Sequence, residues 1–355
     1  MEKFDFFPGY TPTTSERSRL IRFWKPLNKI FPDINSKKVI SNEIIISSYY
    51  ASKYHQHELR KNLEIFENAN LFLDSGGFQL INEEKFNPNI ETAENILDYQ
   101  IKMNCNIGAI LDYPVDIETI TLPEKIRRMK INLELIKAIA KRYPEERKNK
   151  MLLYGVIHGW DISSIKNFTV KLKTISQLDG FAYGTPKPKS FSEMSTKKYL
   201  LKLSQNIWQI KSEITNKPLH VFGISNFPAV FILAYLGIES FDSYSFLHAA
   251  KYREYFLPWG MRSTISRGQN KKKLNYLSCS CPICEYAENV DKMKKDGMKE
   301  GALVALHNLI VQKNIVNIIK SAFEENWINE LIKDAMKIYP EITEAILWIN
   351  KRKGI

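Results

Sequence analysis

IGAILD (107–112), PEKIRRMKINLELIKAIAKRY (123–143) and LLYGVIH (152–158) follow one another along the chain, and their order sets the fold question. The outer two are short apolar runs ending in a polar residue, Asp112 and His158. The middle one carries apolar residues at helical spacing, with Pro123 placed where a helix begins. Strand, helix and strand in that order form the unit that builds a parallel sheet.

Working outward, the same alternation recurs in both directions. KVISNEIIIS (38–47), LFLD (71–74), GFAYG (180–184), LHVFGIS (219–225) and ESFDSYS (239–245) read as further strands, separated by segments with helical character. Seven strands alternating with helices predict an α/β fold, a (β/α)8 TIM-type barrel with one strand not recognised; a doubly wound sheet is the alternative. In such barrels reactive groups sit at the C-terminal ends of strands, and here those ends carry Asp74, Asp112, His158, Gly184, Ser225 and Asp242. Beyond the last strand lies a basic stretch, KYREYFLPWGMRSTISRGQNKKKL (251–274), then a cysteine cluster and a helical pattern to the end. The expected division is a catalytic barrel over 1–273 and a zinc-binding subdomain with C-terminal helices, packed on the barrel, over 274–355.

Composition narrows the class. Hydrophobic content of 44% and charged content of 25% are those of an ordinary globular protein, which excludes disorder. No window approaches the roughly 18 apolar residues of a membrane span, and the N-terminus has no leader-like pattern, so a cytoplasmic protein without membrane association is expected. The 51 Lys and Arg exceed the 39 Asp and Glu for a formal charge of +12, which favours a polyanionic partner such as nucleic acid, although a Lys-rich proteome leaves the same sum.

Of four cysteines, Cys279, Cys281 and Cys284 are clustered and Cys105 stands alone. That distribution suits a metal site in a reducing compartment rather than a disulfide framework. With His307 the cluster supplies three thiolates and one imidazole, a complete tetrahedral set for zinc, with no open position for a substrate water. The site is therefore expected to be structural. A nucleobase deaminase is excluded, because its H-x-E and P-C-x-x-C signature is absent. Cys105 reads as a buried core thiol.

Taken together, LDSGGFQ (73–79), LDYPVD (111–116), the glycine-containing segments, FDS (241–243) and the C-x-C-x2-C…H cluster resemble the tRNA-guanine transglycosylase family in order and spacing, from about residue 70 to about residue 310. The resemblance implies an irregular (β/α)8 barrel with a zinc subdomain. It also implies a base-exchange reaction in which guanine in a polynucleotide is replaced by a free 7-deazaguanine base such as preQ0, without cutting the backbone. By motif position Asp242 matches the nucleophile of a covalent intermediate and Asp74 the general acid/base, a two-carboxylate logic shared with retaining glycosidases. Asp112 matches the base-recognition aspartate, with Asp116 close enough to share the role, because a carboxylate accepts hydrogen bonds from the N1–H and amine edge of guanine. Phe78 and Phe222 match stacking positions, Ser75, Gly76 and Gln79 belong to the same pocket motif, and Gly184 brings backbone to the base. Read singly, Asp74 before Ser-Gly-Gly is a turn acid and Asp242 before Ser is a helix cap; only their concert points to chemistry.

The chain departs from the bacterial pattern in three places. His158 stands where a glutamine is usual, Thr185 replaces the second glycine of the base pocket, and FDSYSFLHAAKYREYF lacks the proline-threonine-arginine run after the nucleophile. These departures, and the absence of the appended RNA-binding domains usual in archaeal tRNA enzymes, favour the branch that exchanges 7-deazaguanine into DNA, with tRNA the alternative and a non-catalytic nucleic-acid-binding subunit a third reading. Lys251, Arg253, Arg262, Arg267, Lys271, Lys272 and Lys273 lie between nucleophile and zinc cluster, where a polynucleotide backbone would pass. The resemblance further implies a homodimer and leaves room for accessory modification proteins.

Overall fold

A strand of a parallel sheet needs a neighbour on each side, and eight strands meet that need by closing on themselves. The computed structural model describes residues 4–10, 43–51, 70–80, 88–115, 120–143, 151–185, 193–214, 216–224, 226–265, 274–294 and 302–354. The strands are β1 (Asp5–Tyr10), β2 (Glu43–Ser47), β3 (Asn70–Asp74), β4 (Ile107–Ala109), β5 (Leu152–Ile157), β6 (Gly180–Gly184), β7 (Leu219–Phe222) and β8 (Ser240–Ser243). Each pairs in parallel with the next, and β1 closes the barrel on β8 with Phe7 opposite Asp242 and Pro8 opposite Ser243. The predicted (β/α)8 barrel is present.

The strand that sequence reading did not recognise is β1, DFFPGY. Pro8 removes a ladder donor and Gly9 offers no side chain to pack, so the stretch lacks a strand signature. Barrel closure supplies its partners on both sides. Of 38–47 the described part, 43–47, forms β2, and among the described residues other expected strands are trimmed: 107–112 to Ile107–Ala109, 152–158 to Leu152–Ile157, 219–225 to Leu219–Phe222 and 239–245 to Ser240–Ser243. The removed ends include Asp112 and His158, which leave the ladder for the barrel mouth.

Alternation along each strand divides the core in two. Phe7, Ile45, Phe72, Ile107, Tyr154, Val156 and Ala182 fill the barrel interior. Their neighbours Phe6, Ile44, Ile46, Leu71, Leu73, Leu153, Phe181, Val221 and Phe241 point outward into the layer beneath the helices. Two-residue periodicity then carries Asp74 to the side of Phe72, His158 to the side of Val156 and Asp242 to the side of Ser240, all inward.

The helices are built from local signals. Asn89 caps Ile90–Lys102 by accepting from Thr92 N at 2.8 Å, Asp161 forms a reciprocal cap with Ser164 at the start of Ile162–Leu172, and Pro123 lies in the first turn of Leu122–Arg142. Phe227–Leu236 is apolar all round and every residue in it is buried, packed against helices Lys197–Glu213, Ile328–Ile338 and Thr343–Lys353. Helix Ala302–Glu324 runs along Ser245–Lys251 and along β9 (Glu254–Phe256), which pairs with β10 (Arg262–Thr264). Among the described residues no helix is long and apolar enough to cross a membrane.

Candidate functional site

The turn after β3 is shaped by two glycines. Gly76 has φ of +82°, and a Cβ there would lie 2.5 Å from Tyr49 Cβ and 2.9 Å from Ser47 Oγ. A Cβ on Gly77 would run into the backbone carbonyl oxygen of Asp112. Both glycines therefore let the turn press against β2 and β4. Within it, Ser75 Oγ donates to Asp112 Oδ1 at 2.8 Å, Gly77 N–H donates to Ser75 Oγ at 3.2 Å, and Gly76 N–H donates to Asp74 Oδ2 at 3.3 Å.

Three carboxylates share this mouth. Burial, then the nearby charges of Asp112 and Asp242, push the Asp74 carboxyl up to about 7, against the lowering effect of the Gly76 and Ser75 N–H groups. A carboxyl that titrates there can hold a proton at neutral pH and release it readily. Such a group suits proton transfer.

Asp112 meets His158, which sequence reading assigned to the base pocket without a contact to Asp112. His158 Nε2 lies 3.3 Å from Asp112 Oδ2, and it is buried without an aligned hydrogen bond among the described residues. An acceptor carboxylate and an imidazole nitrogen are thus side by side at the ends of adjacent strands. Gly184, at the end of β6, has nothing within 4 Å of where a Cβ would stand, so open space borders its backbone.

Asp242 stands next to the last residue of β8, with Oδ1 turned to β7. Gly223, at φ of +71°, donates its N–H to Oδ1 at 2.9 Å, and His220 Nε2 lies 3.3 Å from the same oxygen. His220 Nδ1 in turn is 2.9 Å from Ser240 Oγ. His220 was missing from the sequence-based set. The sequence carried only part of the signal, the alternation of His220 and Phe222 along β7; the register that sets His220 opposite Ser240 on β8 comes from the fold. The Phe222 ring lies 4.8 Å from His220 and 5.7 Å from Phe72, so one expected stacking residue stands at the floor of the mouth.

The remaining expected residues divide. Phe78 and Gln79 belong to the short helix Gly77–Leu80, but their side chains lie outside the described residues, as do Asp116, Ser225, Arg267, Lys271, Lys272 and Lys273. Lys251 is exposed at the end of its helix. Arg262 is not a free cation: its guanidinium pairs with Glu254 at 3.0 Å and covers the Phe256 ring. Arg253 has φ of +58° and a buried Nη1 without a partner among the described residues, so it too is partly withdrawn from the surface.

The second constellation is compact. The ligand atoms of Cys279, Cys281, Cys284 and His307 all lie within 4.8 Å of one another, and all but Cys279 are buried. His307 Nε2 donates to the Phe256 carbonyl at 2.8 Å, which leaves Nδ1 with its lone pair facing Cys281 Sγ at 3.4 Å and Cys284 Sγ at 3.3 Å. The Tyr255 ring stacks on the imidazole at 3.8 Å and its hydroxyl lies 3.1 Å from Cys284 Sγ. Four soft donors with a fixed histidine tautomer could hold a metal ion. Cys105 is remote from this cluster, buried beside Met151, with its thiol pushed up to about 12 by burial.

Comparison with known proteins gives a consistent answer. The profile of the queuine tRNA-ribosyltransferase family matches residues 28–341. A tRNA-guanine(15) transglycosylase of Sulfolobus acidocaldarius is 26% identical over 330 residues, covering 91% of this chain and 62% of that protein. Proteins of the same description from Methanococcus aeolicus and Methanocaldococcus jannaschii are each 28% identical, covering 86% and 88% of this chain and 45% and 46% of theirs. The chain thus spans about half the length of the curated relatives it matches.

Proposed function

The chain belongs to the queuine tRNA-ribosyltransferase family, and from that premise we propose that it is a pentosyltransferase that exchanges guanine in a polynucleotide for a 7-deazaguanine base. The observation that carries the reading is the pair of strand-end carboxylates in one mouth: Asp74, held up to about 7 by burial and then by the charges of Asp112 and Asp242, and Asp242, whose Oδ1 accepts from Gly223.

In the first half of the exchange Asp242 attacks C1′ of the target nucleotide. An O–C1′ bond forms, the C1′–N9 bond breaks, and its electron pair leaves on guanine, which takes the proton of Asp74. In the second half Asp74 removes the N9 proton of the incoming base. N9 then attacks C1′, and the electron pair of the O–C1′ bond returns to Asp242. Asp112 accepts from the N1–H and amine of the base in both halves, beside His158. Phe222 offers it a face, and the open space at Gly184 admits it to backbone.

Zinc is the metal proposed for Cys279, Cys281, Cys284 and His307, where it would tie the segment after β10 to helix Ala302–Glu324 and take no part in bond breaking. Residues 1–273 then form the catalytic barrel and 274–355 the zinc-binding part, in a cytoplasmic enzyme.

The names of the relatives support tRNA as the polymer, ahead of the DNA preferred on sequence alone. The altered pocket residues His158 and Thr185 are what keep DNA as a second reading. Purified protein given radiolabelled guanine is expected to incorporate label into unfractionated tRNA; incorporation into DNA alone reverses the order, and incorporation into neither overturns the exchange reading. The Asp242→Ala variant is expected to lose incorporation while keeping its fold by circular dichroism.

A further inference from the structure

Among the described residues, only one oxygen of Asp242 is engaged. Oδ1 receives the Gly223 N–H at 2.9 Å and faces His220 Nε2 at 3.3 Å, whereas Oδ2 has no partner among the described residues. His220 is fully buried, at 0% exposure, inside the barrel beneath the carboxylate. Its ring is packed by Phe7 at 5.8 Å, Phe72 at 4.6 Å and Phe222 at 4.8 Å. Its polar partners are Ser240 and Asp242, two residues apart on β8 and therefore on one face of that strand.

Those partners fix the tautomer. A carboxylate oxygen can only accept, so Nε2 must carry the proton; Nδ1 then accepts from the Ser240 hydroxyl, which is able to donate. Burial also lowers the imidazole's basicity, in keeping with a neutral ring that leaves the negative charge on Asp242.

Resting on the exchange reading, we propose that His220 is a positioning residue for the reaction: Ser240 orients the ring, the ring holds Oδ1 of Asp242, and Oδ2 is left as the one oxygen aimed out of the mouth at C1′. In the covalent intermediate Oδ2 is bonded to C1′ and Oδ1 is the ester carbonyl oxygen. When the incoming base displaces the ester, the bond's electron pair returns to the carboxylate, where the N–H groups of Gly223 and His220 meet the returning charge. Misaiming an attacking atom by about 1 Å costs on the order of 100-fold in rate.

The test compares His220→Phe, which keeps the aromatic packing and removes both ring nitrogens, with His220→Gln, which restores a donor. With radiolabelled guanine and tRNA, His220→Phe is expected to lower kcat by about 100-fold with KM for guanine within about 3-fold, and His220→Gln to recover about a tenth of the lost rate or more. A His220→Phe kcat within about 3-fold of wild type overturns the assignment, as does an effect on KM alone.

A second readout needs no turnover. In protein labelled with 15N-histidine, His220 is expected to carry its proton on Nε2 from pH 6 to 8, and its resonance is expected to shift in Asp242→Asn. A proton on Nδ1, or a resonance indifferent to Asp242→Asn, overturns the assignment. If wild-type protein exchanges no base on either polymer, the exchange reading falls and takes the catalytic half of the assignment with it. The NMR result then decides separately whether His220 holds Asp242.

Discussion

Asp74 pays for its position in stability, and the sign of that cost is testable. Its carboxyl titrates at about 7 in the folded chain, against an ordinary value of 3.8. As pH rises between those values the unfolded chain ionises and the folded chain does not, so folding stability falls through the window from about 4 to 7 and levels off above it. Asp74→Asn is expected to melt like wild type near pH 4 and to gain on the order of 2 to 4 kcal/mol by pH 7, read from denaturant unfolding at each pH. The same variant is expected to lose base exchange by about 100-fold or more, since the leaving base has no proton donor. In wild type the first half-reaction should slow as pH rises through about 7, because only protonated Asp74 can donate. The motif LDSGGFQ singled out Asp74, but the burial and the charges of Asp112 and Asp242 that raise its carboxyl come from elements remote in the chain.

At the scale of elements, the glycines of the mouth do different jobs. Gly77→Ala would drive a methyl into the Asp112 carbonyl, which is backbone and cannot step aside cheaply. The expected result is a loss of about 1 to 3 kcal/mol in stability together with loss of exchange. Gly184→Ala meets nothing within 4 Å, so its melting temperature should stay within the error of wild type while its methyl obstructs the space a base would fill. Its KM for guanine should rise. Thermal melts and exchange kinetics on the two variants separate a packing glycine from a pocket glycine. In the sequence Gly77 looked like a turn residue and Gly184 like a pocket residue by resemblance alone, because a glycine does not announce what stands opposite it.

The strands tell a similar story. β5 and β6 were readable because both barrel faces are apolar and their runs are unbroken. β1 was not, because Pro8 and Gly9 erase its local signature and only closure of the barrel gives it partners. His220 escaped notice for the same kind of reason. A histidine in an apolar run is usually a satisfied core residue, and only its register with Ser240 brings Asp242 within reach.

For the molecule as a whole, the Cys279, Cys281, Cys284 and His307 cluster brings together parts that are distant in sequence. Elemental analysis is expected to find one zinc per chain in wild type and none after Cys281→Ser, with a melting temperature several degrees lower. Cys105→Ala should leave the zinc content unchanged, since that thiol packs on Met151 far from the cluster. A chelator that removes zinc should destabilise helix Ala302–Glu324 before the barrel, detectable as slower hydrogen exchange protection lost first from that helix.

The sequence by itself determined the barrel, the Cys3His set that could hold a metal ion and which acids stand at strand ends, because each rests on local information: periodicity, ligand type and motif spacing. Tertiary structure alone decided which strand closes the barrel, that Asp112 meets His158, that Arg262 pairs with Glu254, and that His220 lies 3.3 Å from Oδ1 of Asp242. Those facts are pairings between residues remote in the chain. They are fixed by the register and twist of a closed sheet, which no single segment of sequence contains.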